Sequence, residues 1–421
     1  MNLIPLKQFK PLLLRAAKTA GTPLYVFDVK GMRNNLQAFK RAFKKHGVDI
    51  HIFFAVKSNY YLGLLKTVVQ EGEGLDVSSQ RELKLALRAK AKEIVYTGPA
   101  KTEADFKLIL KHHSKIRVNL ESIRELELLA KMAKAKKVRV RCGLRISTAL
   151  QNDWTKFGLP LNQLKTFYHK AQQYPSIQLC GIHFHTSFNR TPDSYVKNLK
   201  ILSDYLKENF NHRERATFQY LDIGGGFYPE SIEGIYPWNP KGDIKSFDVC
   251  LLDDICADKF QPRYSPPIPV SPIDEFGSQI AAVYKSEIRP LLPNAQFLAE
   301  PGRFIANNSM HILLKLIEVK EDFKGTKTGI ADGGNNMIGW EKYQFCNYVP
   351  MFNLTQFTLE REIPFVVYGS LCTPYDIWGY YLYTANEPKP GDFLWIPFQG
   401  AYTYALAQEF IKEIPPVYDL K

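Results

Sequence analysis

The feature that most constrains the fold is a recurrence. Eight short apolar, β-branched runs lie between Ile52 and Ala299: Ile52–Val56, Leu75–Ser78, Glu93–Thr97, Ile116–Leu120, Val138–Ile146, Leu179–His185, Tyr220–Ile223 and Phe297–Ala299. Amphipathic stretches separate most of them. In Arg81–Arg88, for example, Leu83 and Leu87 stand one helical turn apart. Strands that alternate with helices form parallel sheets, and this number predicts a (β/α)8 barrel. Polar residues gather just past the strand ends, where such a barrel carries its active site.

The spacing fails once. Residues 228–272 form a long proline-rich segment that includes Tyr236-Pro237-Trp238-Asn239-Pro240 and Ser265-Pro266-Pro267-Ile268-Pro269. Loops of this length serve as lids or binding elements, or are disordered insertions. The tyrosines, Trp238 and Phe260 favour an ordered cap. After Arg303 the pattern changes to short alternating runs and turns: His311–Val319, Thr328–Ile330, Phe365–Tyr368 and Phe393–Pro397. These predict a separate β-domain, with a short helix after Tyr404. Residues 27–304 are therefore expected to form the barrel, and residues 305–421 the β-domain. Residues 1–26 are expected to add a strand or helix to that domain, as a short helix leading into Leu24-Tyr25-Val26-Phe27.

A chain of 421 residues can bury a large core and hold two domains. No apolar run approaches the roughly 20 residues of a membrane span. Pro11-Leu12-Leu13-Leu14 is too short for a signal sequence and meets Arg15 at once. The six cysteines, Cys142, Cys180, Cys250, Cys256, Cys346 and Cys372, form no CxxC pair. That pattern fits reduced thiols in a cytoplasm, without a zinc site. The net charge is +13. The basic stretch Lys131–Lys137 reads as the solvated end of a helix, and few aromatics interleave it, so no nucleic-acid surface is expected. A positive field would still attract anionic small substrates.

Several of the strand-end groups carry chemistry. Lys57 closes the run from His51 to Val56, and Ser58-Asn59 stops the strand. An amine at a barrel rim, partly desolvated, would be available to attack a carbonyl. Read alone, a lysine in this position is usually a solvated strand-end charge. In Leu221-Asp222-Ile223-Gly224-Gly225-Gly226 a strand runs into three glycines, whose N–H groups can cradle a phosphate; a flexible turn is the plainer reading. Glu300-Pro301-Gly302-Arg303 offers a carboxylate to hold a ring nitrogen protonated and a guanidinium for phosphate, or a simple ion pair. His183 and His185 share a strand face. No third ligand stands near in sequence, so stacking on an aromatic ring fits better than a metal. Cys372 lies in a polar turn, as a buried thiol or as an exposed acid or nucleophile. A lysine, a phosphate cradle, a partner for a ring nitrogen and a stacking histidine together call for pyridoxal phosphate (PLP).

At this point the chain strongly resembles the fold-type III PLP-dependent decarboxylases, the group of the ornithine, diaminopimelate and biosynthetic arginine decarboxylases. The motifs run in family order from about Leu24 to Tyr404. The resemblance implies an alanine-racemase-like barrel followed by a β-domain. The F-x-A-V-K-x-N motif on Phe53–Asn59 implies that Lys57 forms the Schiff base, and Gly74-Leu75-Asp76 places Asp76 beside it. His185 matches the ring-stacking histidine. Gly224, Gly225 and Gly226 match the phosphate glycines. Glu300 matches the pyridine-nitrogen partner, Arg303 a phosphate or substrate contact, and Tyr402 a phosphate contact. Arg145 and Lys156 match the L-R-I and K-F-G segments, with Arg145 expected to face substrate. Cys372 matches the acid that reaches across a dimer to protonate Cα. An obligate homodimer with shared active sites is implied.

Three departures bear on the substrate. The family's His-x-Gly-Ser reads His185-Thr186-Ser187-Phe188, so the serine contact to phosphate is shifted or lost. The Asn-Asp-x-x-Arg-Pro of diaminopimelate decarboxylases reads Asn335-Asn336-Met337-Ile338-Gly339-Trp340, without the arginine. The acid that follows the family cysteine and holds a distal ammonium is here Thr373. A threonine cannot pair a buried ammonium, and an unpaired charge there costs several kcal/mol. Asp332 and Asp376 are the remaining acids expected near the substrate, and Asp332 could partly compensate. Cys-Thr-Pro-x-Asp resembles a siderophore-pathway branch acting on citrate-conjugated diamino acids. A free basic amino acid (ornithine, lysine, arginine or diaminopimelate) is the alternative. A racemase would share Lys57 without needing Cys372, and a catalytically silent PLP-binding regulator is a reading of another class.

Overall fold

A computed structural model describes residues 4–148, 150, 156–230, 269–321, 323, 325, 327–339, 349–374 and 376–420. The proline-rich segment at 228–272 lies outside the described residues except for its ends, 228–230 and 269–272. Trp340, Cys250, Cys256 and Cys346 are outside them too. The chain divides into two compact units. One comprises Arg33–Glu230 and Val270–Ile305, the other the residues up to Met32 and those from Ala306 onward.

The first unit is the (β/α)8 barrel. Its strands are β2 (Ile50–Ala55), β3 (Gly74–Val77), β4 (Ile94–Tyr96), β5 (Ile116–Leu120), β6 (Val140–Ser147), β8 (Ile177–His183), β9 (Tyr220–Asp222) and β10 (Gln296–Ala299). They pair in parallel, in the order β5-β4-β3-β2-β10-β9-β8-β6, and β5 pairs with β6 to close the ring. A two-residue strand, β7 (Leu159–Pro160), pairs in parallel with the end of β6. All eight runs expected from the sequence are barrel strands. Phe53, Val95, Cys180, Tyr220 and Leu298, from five of the strands, pack as one buried cluster. The Tyr220 hydroxyl donates to Asn119 Oδ1 at 2.8 Å, so the polar atom brought into this core has a partner.

The second unit is a β-domain. It is formed by β1 (Leu24–Asp28), β11 (Met310–Glu321), β12 (Lys327–Ala331), β13 (Phe352–Asn353), β14 (Glu362–Tyr368), β15 (Ile377–Tyr383), β16 (Phe393–Ile396) and β17 (Val417–Leu420). The sheet order is β12-β14-β15-β13-β16-β11-β1-β17, with a further β11–β12 pairing. The helix Lys10–Ala20 places Leu13, Ala16 and Ala17 in one cluster with Leu24, Val26, Leu313 and Trp395. Their spacing is that of a single helical face. Strands β13, β15 and β17 were not among the runs legible in the sequence. In Ile377–Tyr383 a glycine and bulky residues on both faces mask the alternation. β13 is two residues long, and β17 follows Pro415-Pro416. Among the described residues, no helix is long and apolar enough to cross a membrane.

Candidate functional site

The barrel residues expected to do chemistry meet at the C-terminal ends of the strands. The Ser58 hydroxyl donates to the Ala55 carbonyl at 2.7 Å, and Asn59 Oδ1 accepts from Tyr61 N–H at 2.9 Å. These bonds end β2 and set Lys57 on a short turn, Val56–Ser58. β4 delivers Thr97. β8 stops at His183, two residues before the end expected from sequence, so His185 and Ser187 stand on the loop beyond it. β9 delivers Asp222 and the glycines, and β10 delivers Glu300. Lys57, Thr97, Arg145, His185, Ser187 and Glu300 line a cavity of about 230 Å3.

Charge at this rim is unevenly held. Asp76, Asp222 and Glu300 are all buried. Burial raises the Asp76 carboxyl well above its ordinary range, and Glu300 raises it further, against Lys57 and a hydrogen bond from Thr97. Burial and then Glu300 do the same to Asp222, whose Oδ1 accepts from Gly224 N–H at 2.9 Å. Burial would also raise Glu300, but its interaction with the His183 ring, the largest of those that lower it, outweighs burial and holds this carboxyl well below the usual range. His183 Nε2 stands 3.4 Å from Glu300 Oε1, and His185 Nδ1 stands 3.5 Å from Oε2. The negative charge of the cluster therefore concentrates on Glu300.

The hydrogen bonds of His185 define its tautomer. Gly225 N–H donates to Nδ1 at 3.1 Å, so Nδ1 carries no proton. Nε2, 3.2 Å from Ser187 Oγ, is then the donor. Burial, then the Lys57 charge, push this ring down to about 3, so it is a neutral plate. His183, His185 and Glu300 bring ligand atoms within 4.8 Å of one another. With Gly225 N–H on its Nδ1 and the proton on Nε2, His185 has no lone pair left for a cation.

The glycine turn packs tightly against its neighbours, and the N–H groups of Gly224 and Gly225 are given to Asp222 Oδ1 and His185 Nδ1. Gly224 and Gly226 have φ of +69° and +91°, conformations that a side chain resists. A Cβ on Gly225 would strike the Glu300 carbonyl, and one on Gly226 the Thr186 carbonyl. Arg303 lies with its Cζ 4.8 Å from the centre of the Tyr228 ring. Arg145 Nη1 is 3.2 Å from Glu121 Oε1, and its guanidinium stacks 4.3 Å from the Phe157 ring centre. Lys156 is exposed and also faces Phe157, at 5.3 Å. A buried anionic acid, a neutral flat ring and an amine lining one cavity, beside a turn that only glycines can form, fit the parts of PLP.

The remaining expected residues belong to the β-domain. Cys372 is exposed. Thr373 is half-buried, and its N–H donates to the Leu371 carbonyl at 2.8 Å. Asp376 is buried, and its two carboxylate oxygens accept from Asn335 N–H at 2.6 Å and Leu371 N–H at 2.7 Å. Asp332 accepts from the Thr22 hydroxyl at 2.6 Å and Lys315 N–H at 2.9 Å. Both acids thus tie neighbouring segments of the β-domain together, Asp332 to Thr22 and β11, and Asp376 to Asn335 and its own loop. Tyr402 is half-buried with φ of +58°. A Cβ on Gly339 would strike the Tyr402 carbonyl, so the backbone itself excludes a side chain where diaminopimelate decarboxylases are expected to carry arginine.

Thr97, Ser187, Asp222 and Glu121 were not singled out from the sequence. Thr97 sat at the end of an expected strand and Asp222 one residue before another such end, so the strand-end rule was the signal for both. The loop from β8 and the β5–Arg145 pairing left no local pattern.

Residues 30–237 match the family profile described as pyridoxal-dependent decarboxylase, pyridoxal binding domain. The diaminopimelate decarboxylase of Staphylococcus aureus (strain COL) is 27% identical over 423 residues, spanning 96% of this chain and 90% of that protein. A crystal structure of diaminopimelate decarboxylase from M. jannaschi aligns with a TM-score of 0.77 at 21% identity, covering 96% of this chain and 88% of that one. Lysine/ornithine decarboxylase complexed with cadaverine from Vibrio vulnificus aligns with a TM-score of 0.75 at 22% identity, covering 98% and 96%. The chain is an enzyme of the PLP-dependent carboxy-lyase class, and PLP is its cofactor.

Proposed function

We propose that this chain removes the α-carboxylate of a free basic amino acid (ornithine, lysine, arginine or diaminopimelate). The names of its relatives favour this substrate class. The observation that carries the chemistry is the buried Glu300 carboxylate, held ionised beside two histidine rings in the cavity that Lys57 lines. PLP bound here would supply an electron sink for the pair that the departing CO2 leaves at Cα. Lys57 would hold the cofactor through its amine. Glu300 would keep a proton on the ring nitrogen, the condition for that sink. His185 supports the ring face as a neutral plate. Gly224, Gly225, Gly226, Arg303 and Tyr402 hold the phosphate, and Asp76 stands beside Lys57. Cys372 delivers the proton to Cα in a homodimer whose sites are shared between two chains. In this reading residues 27–304 bind the cofactor, residues 1–26 with 305–421 carry Cys372, and the enzyme works in the cytoplasm.

A second reading, a citrate-conjugated diamino acid of siderophore assembly, rests on what the β-domain lacks. Thr373 stands where an ammonium-binding acid is expected. Asp332 and Asp376 are engaged by β-domain N–H groups and the Thr22 hydroxyl, and Gly339 leaves no room for an arginine. Arg145 would face the added carboxylates.

CO2 release from PLP-loaded protein separates the readings. Free L-ornithine, L-lysine, L-arginine and meso-diaminopimelate are compared with citryl-ornithine and citryl-diaminopropionate. Turnover of a free amino acid supports the first reading, and turnover of the citryl forms alone replaces it with the second. CO2-free racemisation, or PLP binding without any reaction, contradicts both.

A further inference from the structure

Thr97 is buried directly after β4, and its hydroxyl lies between two acids. It donates to Asp76 Oδ1 and is 3.5 Å from Glu300 Oε1. A hydroxyl has one proton and serves one carboxylate at a time. The shorter contact assigns that proton to Asp76. Asp76 also faces Lys57 from the turn after β2, Glu82 from the helix Gln80–Arg88, Glu300 from beyond β10 and Asp222 from β9. His183 faces Glu300 at the same Oε1 that Thr97 approaches, and His185 faces Oε2. Of the groups around Asp76, Lys57 is the cation and Thr97 the neutral donor.

We propose that Thr97 is a positioning residue whose hydroxyl favours the carboxylate form of Asp76 facing Lys57, against the burial and the Glu300 charge that favour its protonated form, and thereby raises the proton affinity of the Lys57 nitrogen when the cofactor is attached. A donor on Asp76 stabilises the carboxylate. The carboxylate stabilises a positive charge on the lysine nitrogen. Without the donor, Asp76 keeps its own proton more tightly, and the lysine nitrogen gives up its proton at lower pH. This inference rests on PLP as cofactor and is independent of which amino acid is the substrate.

The test uses PLP-loaded wild-type, Thr97→Val and Thr97→Ser proteins. Valine matches threonine in shape and removes the donor; serine keeps the donor. The readouts are the pH at which the visible absorbance band of the bound cofactor titrates, the PLP dissociation constant and the melting temperature. The Thr97→Val band is expected to titrate lower than wild type by about half a pH unit to one unit, the size of one net hydrogen bond. Thr97→Ser is expected to follow wild type, and PLP affinity to change less than about threefold. If the wild-type band persists to the alkaline limit, the valine variant's titration is expected to move into range. A valine band that does not move overturns the proposal, even if turnover falls, and so does an equal shift in both variants. A wild-type protein with no visible band at any pH overturns the cofactor assignment and the proposal with it.

Discussion

At the barrel rim, Asp76, Asp222 and Glu300 are buried against one another, two histidines and a lysine. In the β-domain, Asp332 and Asp376 face backbone N–H groups and a threonine hydroxyl instead. The same side chains thus have two different tasks. Carboxyls crowded together in a low-dielectric pocket cannot all be charged, and the crowding decides which one is. Carboxyls that accept two backbone or hydroxyl protons hold a loop in one shape. The contrast teaches that an acid near an expected site has to be judged by what its oxygens already hold.

The largest effect should come from Glu300→Gln. Removing the charged acid should cut turnover on the order of a thousandfold, ~4 kcal/mol of transition-state stabilisation, while PLP still binds. Near wild-type turnover would dissolve the contrast from the barrel side. Cys372→Ala should lower turnover by about a hundredfold or more, with the cofactor's visible band intact, as loss of a general acid does. A fully active Cys372→Ala protein would remove Cys372 from the chemistry. The smallest effect is structural. Asp376→Asn replaces one acceptor with a donor that faces an N–H group, and should cost about 2 kcal/mol in urea unfolding without changing PLP affinity. An unaltered unfolding midpoint with a large rise in KM would instead make Asp376 a substrate contact.

Most of the barrel was legible because its strands repeat one local pattern, a short apolar run followed by polar residues. The glycine turn and Glu300 were legible for the same reason. Strand β15 was hidden because Trp378, Tyr381, Leu382 and Tyr383 are all buried, which leaves no alternation to detect. Thr97 and Asp222 were hidden because their meaning lies in contacts with residues from distant strands. The bonds of Asp332 and Asp376 were not foreseeable either. Their partners are backbone N–H groups and Thr22, which no motif marks.

The most direct test of the central claim is to load the protein with PLP, reduce it with borohydride and map the modified peptide. The account predicts a single labelled residue, Lys57, with label and visible band both lost in Lys57→Ala. Label on another lysine, or a Lys57→Ala protein that still shows the band, would contradict it.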